Sequence, residues 1–312
     1  MHPNIFGQVK KEISKVIIGQ TKIIDQITTC FFANGHVIIR GVPGLGKTLL
    51  IKAIAKIFDL NFNRIQFTPD LMPSDILGYE ILDPNKKQLK FIKGPIFTNI
   101  LLADEINRTP PKTQSALLEA MQEKKVTIMG KTYSIDEPFI VLATENPIEQ
   151  EGTYPLPEAQ LDRFMFLVEI KYPSYKEEVD IVTNNSEERV KHLKRLFTKK
   201  QILDYKKKIN NIKISEKVVN WVVKIVQATR PNVENFKFSK YIKYGAGPRA
   251  GKFIIDAAKS NAFLTGNKEV LKDNIKDVFI PVLKHRLFLN LEGETQEISK
   301  EEIINELLKI KI

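Results

Sequence analysis

The sequence predicts an α/β fold in which a parallel-sheet domain carrying a phosphate loop is followed by an all-α domain. Three observations predict it. Residues 36–58 read as strand, glycine-rich loop and helix. Apolar strands alternate with amphipathic helices as far as Tyr172-Pro173. Beyond that point the strand signals stop and helical periodicities remain.

Taken in order, residues 9–32 read as a helix broken near Gly19, and His36-Val-Ile-Ile-Arg40 reads as a short buried strand. Gly41-Val-Pro-Gly-Leu-Gly-Lys-Thr48 completes a G-x-x-x-x-G-K-T loop. Its glycines let the backbone aim N–H groups at phosphates. Leu49 to Phe58 reads as a helix, whose N-terminal dipole and orphan N–H groups also favour an anion. Phe62 to Phe67 is a second strand. Thr68 to Ile96, with Pro69, Pro73, Pro84 and Pro95, reads as irregular and long for a simple connection. Asn99 to Ala103 is a third strand and Lys112 to Glu123 a helix. Lys125 to Ile135 alternates around Met129-Gly130-Lys131 and predicts a hairpin. Phe139 to Ala143 and Phe164 to Ile170 are the fourth and fifth strands. Helices are expected over 175–195, 199–211, 215–229, 248–264, 270–284 and 299–310. Pro173 marks the boundary, giving domains of 1–173 and 174–312.

Composition sets the class. With 312 residues, 43% apolar and 27% charged, the chain suits a soluble protein of two domains. No apolar run approaches the ~18 residues of a membrane helix. Met1 to Lys10 lacks the basic-then-apolar order of a signal peptide, so a cytoplasmic location is expected. Cys30 is the single cysteine, which excludes an internal disulfide and reads as a buried, inert thiol. The net charge of +11 is uneven: residues 1–172 contribute +1 and residues 173–312 contribute +10. Such a balance fits either an acidic partner or a solvated lysine-rich surface. His2, His36, His192 and His285 lie far apart in sequence, without the spacing of a metal enzyme, and His36 at a strand start reads as structural. The guanine-reading motif Asn-Lys-x-Asp is absent; Asn85-Lys-Lys-Gln88 lacks the Asp.

The remaining candidates bear on phosphate chemistry. Lys47 can reach β- and γ-phosphates, and the Thr48 hydroxyl can ligate Mg²⁺. Asp104-Glu105 directly follows a buried strand. An Asp there can hold Mg²⁺ through water, and a Glu can polarise an attacking water; the competing reading is an acidic pair capping the next helix. Asn146 ends the fourth strand, where an amide can sense a γ-phosphate, although Asn-Pro is also a turn signal. Arg163, in Leu161-Asp-Arg-Phe164, and Arg249, in Gly245-Ala-Gly-Pro-Arg-Ala250, suit either charge stabilisation on a phosphoryl group or surface ion pairs.

These motifs, in this order, resemble the AAA+ ATPases and, within them, the MoxR family. The match is carried by Val16-Ile-Ile-Gly-Gln20, the loop 41–48, Phe67-Thr-Pro-Asp-Leu-Met-Pro-Ser-Asp75 and Ala103-Asp-Glu-Ile-Asn-Arg108. It continues through Ala116-Leu-Leu-Glu-Ala-Met-Gln-Glu123, Ala143-Thr-Glu-Asn-Pro147, Tyr154-Pro-Leu-Pro-Glu-Ala-Gln-Leu-Asp-Arg-Phe164 and Gly247-Pro-Arg-Ala250. It covers most of the chain, loosely over 173–240; Gly247 stands where many relatives carry Ser.

The resemblance implies an ATPase using ATP and Mg²⁺. Ile18 and Gly19 would line the adenine. Gly41, Pro43, Gly44, Leu45, Gly46, Lys47, Thr48 and the adjoining Leu49 would hold the nucleotide, with Thr48 and Asp104 as metal ligands. Glu105 would be the catalytic base, Asn146 sensor 1, Arg163 an arginine finger reaching a neighbouring subunit, and Arg249 sensor 2 on a helical lid. The stretch of about 70–95 would be the helix-2 insertion and the 125–135 hairpin the pre-sensor insertion, both facing the pore in relatives. A homo-oligomeric, hexameric ring is implied, acting as a chaperone-like remodeller or maturation factor on proteins with a von Willebrand factor type A domain. The alternative is an AAA+ motor on nucleic acid. Against it, no helix-turn-helix, zinc module or RNP sequence is recognisable, and few aromatics are interleaved with the basic residues. A nucleotide-dependent scaffold without turnover is a third reading, opposed by the intact Lys47, Asp104 and Glu105.

Overall fold

The structure is a computed structural model that describes residues 4–83, 88–147, 152–183, 186–234 and 236–310. Helices α1 (Ile5–Ile13) and α2 (Thr21–Phe32) lead into β1 (Val37–Arg40) and α3 (Lys47–Ile57). Then come β2 (Phe62–Gln66), α4 (Pro73–Leu77), β3 (Gly78–Asp83), β4 (Gln88–Lys93) and β5 (Ile100–Asp104). A 3₁₀ turn (Ile106–Arg108) precedes α5 (Pro111–Glu123), β6 (Lys125–Ile128), β7 (Lys131–Ser134), β8 (Ile140–Glu145), α6 (Glu158–Leu161) and β9 (Phe166–Glu169). Helices α7 (Tyr175–Thr183), α8 (Ser186–Lys191), α9 (Lys199–Asn210) and α10 (Glu216–Ala228) follow. The remaining elements are β10 (Ile242–Tyr244), α11 (Pro248–Thr265), α12 (Lys272–Leu283), β11 (Phe288–Leu289), α13 (Leu291–Thr295) and α14 (Lys300–Leu307).

Five parallel strands form the sheet in the order β2-β5-β8-β1-β9. Successive residues feed opposite faces: Val37 and Ile39 pack on one core, Ile38 on the other. Both faces are covered, which is why these strands are continuously apolar rather than alternating. The first core runs without interruption from the sheet through α1, α2 and α3 into α9–α12. The order places the carboxyl ends of β1, β8 and β5 side by side, with Arg40 level with Glu145 and Ala103 level with Ala143.

Several expectations change. The break expected near Gly19 is present, where Gly19 (φ 69°) and Gln20 (φ 56°) take left-handed backbone, but the first helix starts earlier than expected, at Ile5, capped by Asn4, whose Oδ1 accepts from the Gly7 N–H. The stretch 68–96 is not irregular. Pro73 opens α4, a position where its missing N–H costs nothing, and β3 and β4 pair as an antiparallel hairpin. Strand signals also continue past Tyr172-Pro173, since β10 and β11 pair antiparallel. The helix expected over 175–195 is α7 and α8; residues 184–185 between them, and 84–87 of the expected insertion, lie outside the described residues. The fifth strand is shorter than expected, Phe166–Glu169, and α13 was not foreseen.

The hairpin around Met129-Gly130 is as expected, with β6 and β7 antiparallel. It leans on the β3–β4 hairpin: Phe91 and Tyr133 stack at 4.0 Å, the Tyr133 hydroxyl donates to Glu80 (3.3 Å), and Lys131 lies 3.5 Å from the same carboxylate. His36 is fully buried between Val141 N–H, which donates to Nδ1 (2.9 Å), and the Met121 carbonyl (3.2 Å from Nε2). Burial takes it down to about 4, so it is a neutral structural residue, as expected. Cys30 is buried, and burial pushes its thiol up.

Lys206 on α9 is buried against α2, where its ammonium donates to Asn34 Oδ1 (2.9 Å) and lies 4.4 Å from the Phe31 ring centroid. Burial, reinforced by Lys124, lowers it to about 7. The unfolded chain therefore binds a proton that the folded chain lacks between about pH 7 and about pH 10.4, so this group makes stability rise with pH across that window. Lys206→Met is expected to flatten that rise and to stabilise the fold at and below neutral pH. Urea unfolding at several pH values checks it; a slope identical to that of the parent chain would contradict the burial argument.

Candidate functional site

The phosphate loop joins β1 to α3. Gly44 (φ 85°) and Gly46 (φ 75°) both take backbone that side chains disfavour, and a Cβ on either would point into open space. Open space over a run of turned amides is what a phosphate needs. The Lys47 ammonium donates to the Gly41 carbonyl across the loop (2.7 Å). Partial burial lowers its pKa, while Asp104 and Glu105 act in the opposite direction. Thr48 and Leu49 open α3 and line a cleft that α8 closes through Val190 and Lys191; Pro43 is exposed on the loop.

The acidic pair stands where expected, at the end of β5. Asp104 is buried; its Oδ2 accepts from Arg64 Nε (3.0 Å) and Nη2 (2.7 Å), and its Oδ1 accepts from the Thr144 hydroxyl (2.6 Å). Glu105 has a left-handed backbone (φ 58°), and its N–H donates to the same Thr144 oxygen (2.8 Å). Gln66 (2.7 Å) and Arg108 (2.9 Å) both donate to Glu105 Oε2, and no hydrogen bond among the described residues engages Oε1. Asn146 is buried just beyond β8. Lys47, Asp104, Glu105 and Asn146 therefore share the carboxyl edge of three adjacent strands, where open parallel sheets bind ligands. Sequence reading missed Thr144, Arg64 and Gln66 as parts of this edge.

Ile18 and Gly19 line a separate cavity of about 400 Å³, together with Glu169, Tyr172, Pro281 and Lys284. It lies between the α1–α2 connection, the end of β9 and α12, and adjoins the loop, because Gln20 Nε2 donates to the Leu45 carbonyl (3.4 Å). That volume is in the range of small-molecule sites. Lys284 spans its rim, bonded to Glu169 (2.6 Å) and Glu301 (2.7 Å). Gly19 has φ 69°, a left-handed backbone that favours glycine, and the Glu177 carboxylate packs against it.

The two arginines behave differently from each other. Arg249, at the start of α11, does not bond to the loop but to Asp162 Oδ2 (2.8 Å). Arg163 is partly exposed, and no hydrogen bond or ion pair engages its side chain among the described residues. No cluster of three or more His, Cys, Asp or Glu suited to a metal ion occurs among the described residues. A cation here would draw on Thr48, Asp104, phosphate and water. That all-oxygen set with few protein ligands is the kind Mg²⁺ accepts, and the open space above Gly44 and Gly46 leaves room for it. No helix among the described residues is long and apolar enough to cross a membrane.

Comparison with known proteins agrees with this arrangement. Residues 36–166 match the family described as ATPase family associated with various cellular activities (AAA), and residues 238–307 match the AAA lid domain. The chain is 41% identical over 300 residues to the chaperone MoxR1 of Mycobacterium tuberculosis, covering 96% of this chain and 79% of that one. It is 27% identical to the MoxR protein of Methylorubrum extorquens, over 97% of this chain and 92% of that one. A crystal structure from Cytophaga hutchinsonii superposes with a TM-score of 0.88 at 42% identity, covering 99% of this chain and 94% of that one.

Thr144→Val preserves shape and removes the shared hydroxyl. It is expected to cost about 1–3 kcal/mol, because a buried Asp104 oxygen and the Glu105 N–H lose their partner. Urea unfolding reads the loss; an unchanged midpoint would mean that water replaces the hydroxyl without penalty.

Proposed function

The chain belongs to the MoxR family of AAA+ ATPases, and on that premise we propose that it hydrolyses ATP to ADP and phosphate to drive a chaperone-like remodelling of a protein partner. One observation carries the reading: an open phosphate loop faces a paired carboxylate edge whose second member keeps one oxygen unengaged among the described residues. The loop amides and Lys47 hold the phosphates. Thr48 and Asp104 would hold Mg²⁺, which would offset negative charge on the phosphates. Glu105 Oε1 receives the proton that the attacking water sheds as its oxygen bonds to the γ-phosphorus and the bond to the β-phosphate oxygen breaks. Asn146 steadies that water. The cavity beside Ile18 and Gly19 takes the adenine. The domains are residues 1–173 and the helical lid 174–312.

We propose further that the protein works as a homo-oligomeric ring, hexameric as the family resemblance implies. The Arg163 side chain, partly exposed and unengaged among the described residues, supports a role toward the next subunit's nucleotide. A head-to-tail contact of this kind closes into a ring when its rotation closes. The two coupled hairpins carry exposed Leu82 (64%), Leu89 (57%) and Met129 (81%), which suits an apolar protein client. Proteins with a von Willebrand factor type A domain are the client class that the resemblance names.

Glu105→Gln is expected to retain nucleotide binding while turnover falls by about 10²–10⁴. Wild-type turnover would remove Glu105 from the role of base. Arg163→Ala is expected to lose turnover as well, and mixing it with Glu105→Gln subunits should restore part of it. Mixtures with no gain at any ratio would rule out action across the subunit contact.

A further inference from the structure

Asp162 caps α6, immediately before Arg163, and its two carboxylate oxygens serve two guanidinium groups from the helical part of the chain. Oδ1 accepts from Arg286 Nε at 2.7 Å, and Oδ2 accepts from Arg249 Nη1 at 2.8 Å. Arg286 lies just past α12 and is only 3% exposed. Its remaining N–H groups bond mostly to backbone, and Nη1 also lies 2.7 Å from the His285 Nε2. Nη2 donates to the carbonyls of Asp162 (2.9 Å) and Phe164 (2.7 Å), while Nη1 donates to those of Met165 (3.4 Å) and Val282. The Phe253 ring lies 5.2 Å from the guanidinium carbon. One buried side chain thus holds the carbonyls on both sides of Arg163 as well as the neighbouring carboxylate, while Arg163's own side chain is left unengaged among the described residues.

The two halves of this clamp differ in strength. Arg286 is buried, so breaking its pairing would strand a charge away from water. Arg249 and Asp162 are 44% and 30% exposed, and solvent weakens ion pairs so placed. Asp162 therefore has one fixed partner and one that exchanges readily, both on the helical part, and it adjoins the residue that reaches outward.

We propose that Asp162 and Arg286 are positioning residues for Arg163: the helical part sets, through them, where one subunit presents Arg163 to the nucleotide of the next. This rests on the reading of Arg163 as acting across the subunit contact. A displacement of about 1 Å in such a group lowers turnover on the order of a hundredfold, so the clamp acts on rate in the neighbour and leaves nucleotide affinity in its own subunit alone.

The test uses the full chain. Asp162→Asn keeps the shape and the acceptor oxygen but loses the charge; Arg286→Lys keeps the charge but loses the fork. Each is assayed for binding of a fluorescent ATP analogue, for turnover alone, and for turnover after mixing with Glu105→Gln subunits; Arg163→Ala with Glu105→Gln serves as the reference mixture. The expected result is unchanged analogue binding, turnover reduced tenfold or more, on the order argued above, and recovery on mixing, since Glu105→Gln subunits lend intact arginines to active sites. Wild-type turnover in both variants overturns the proposal. So does a loss that mixing does not repair while the reference mixture recovers, because the defect then lies within the variant's own site. If the reference mixture also fails, the reading of Arg163 falls first and takes the proposal with it. Arg286→Lys decides the matter by the same criteria should Asp162→Asn not fold.

Discussion

One hydroxyl holds the acidic edge together. The parallel ladder between β5 and β8 ends at Ala103 beside Ala143, so Asp104 and Glu105 stand past the last paired residues. Thr144 takes over where the ladder stops, donating to Asp104 and accepting from the Glu105 N–H. The second bond secures a left-handed backbone at Glu105, a geometry that costs roughly 1–2 kcal/mol for a residue with a Cβ. That bend takes Glu105 out of the strand while Asp104 stays in it. Two carboxylates adjacent in sequence thereby acquire different neighbours: Asp104 faces Thr144 and Arg64, and Glu105 faces Gln66 and Arg108.

What was legible in the sequence follows from where the determining forces act. The phosphate loop, the five sheet strands and α5 were readable because their signals are local: glycine spacing, apolar runs and helical periodicity. The β3–β4 hairpin was not, because most of its side chains are exposed and no buried face imposes alternation. The β10 and β11 strands span three and two residues, too short to carry a period. Thr144 sat inside a recognised motif without a visible role, since a hydroxyl in an apolar strand reveals its partners only once β5 lies beside β8. Arg286 meets Asp162 across 124 positions, and nothing at either end announces it. Arg249 stood in the sequence between a phosphoryl role and a surface ion pair, and its bond here goes to Asp162, whose place beside it only the fold reveals.

The helical part is joined to the sheet part by contacts of graded strength. Beneath lies a continuous apolar core shared by α2, α9 and α11. Above it sit polar ties that differ in burial: Arg286 is sealed, Lys284 is part-buried between Glu169 and Glu301, and Arg249 is open to solvent. Burial ranks how readily each tie is exchanged, because solvent and ions compete only for the exposed ones. The outermost tie is therefore the first to yield when an anion competes for its arginine, and the inner ones keep the alignment meanwhile.

The stack of Phe91 on Tyr133 has a mechanical consequence. Each hairpin alone is a two-stranded ribbon, a form with little stiffness of its own. Joined by the ring stack and by Glu80, which serves both Tyr133 and Lys131, they become a braced tooth with two cusps. A load on either cusp is carried by both roots, one on α4 and one on α5. A force applied at either root would therefore move both hairpins together instead of being spent in bending.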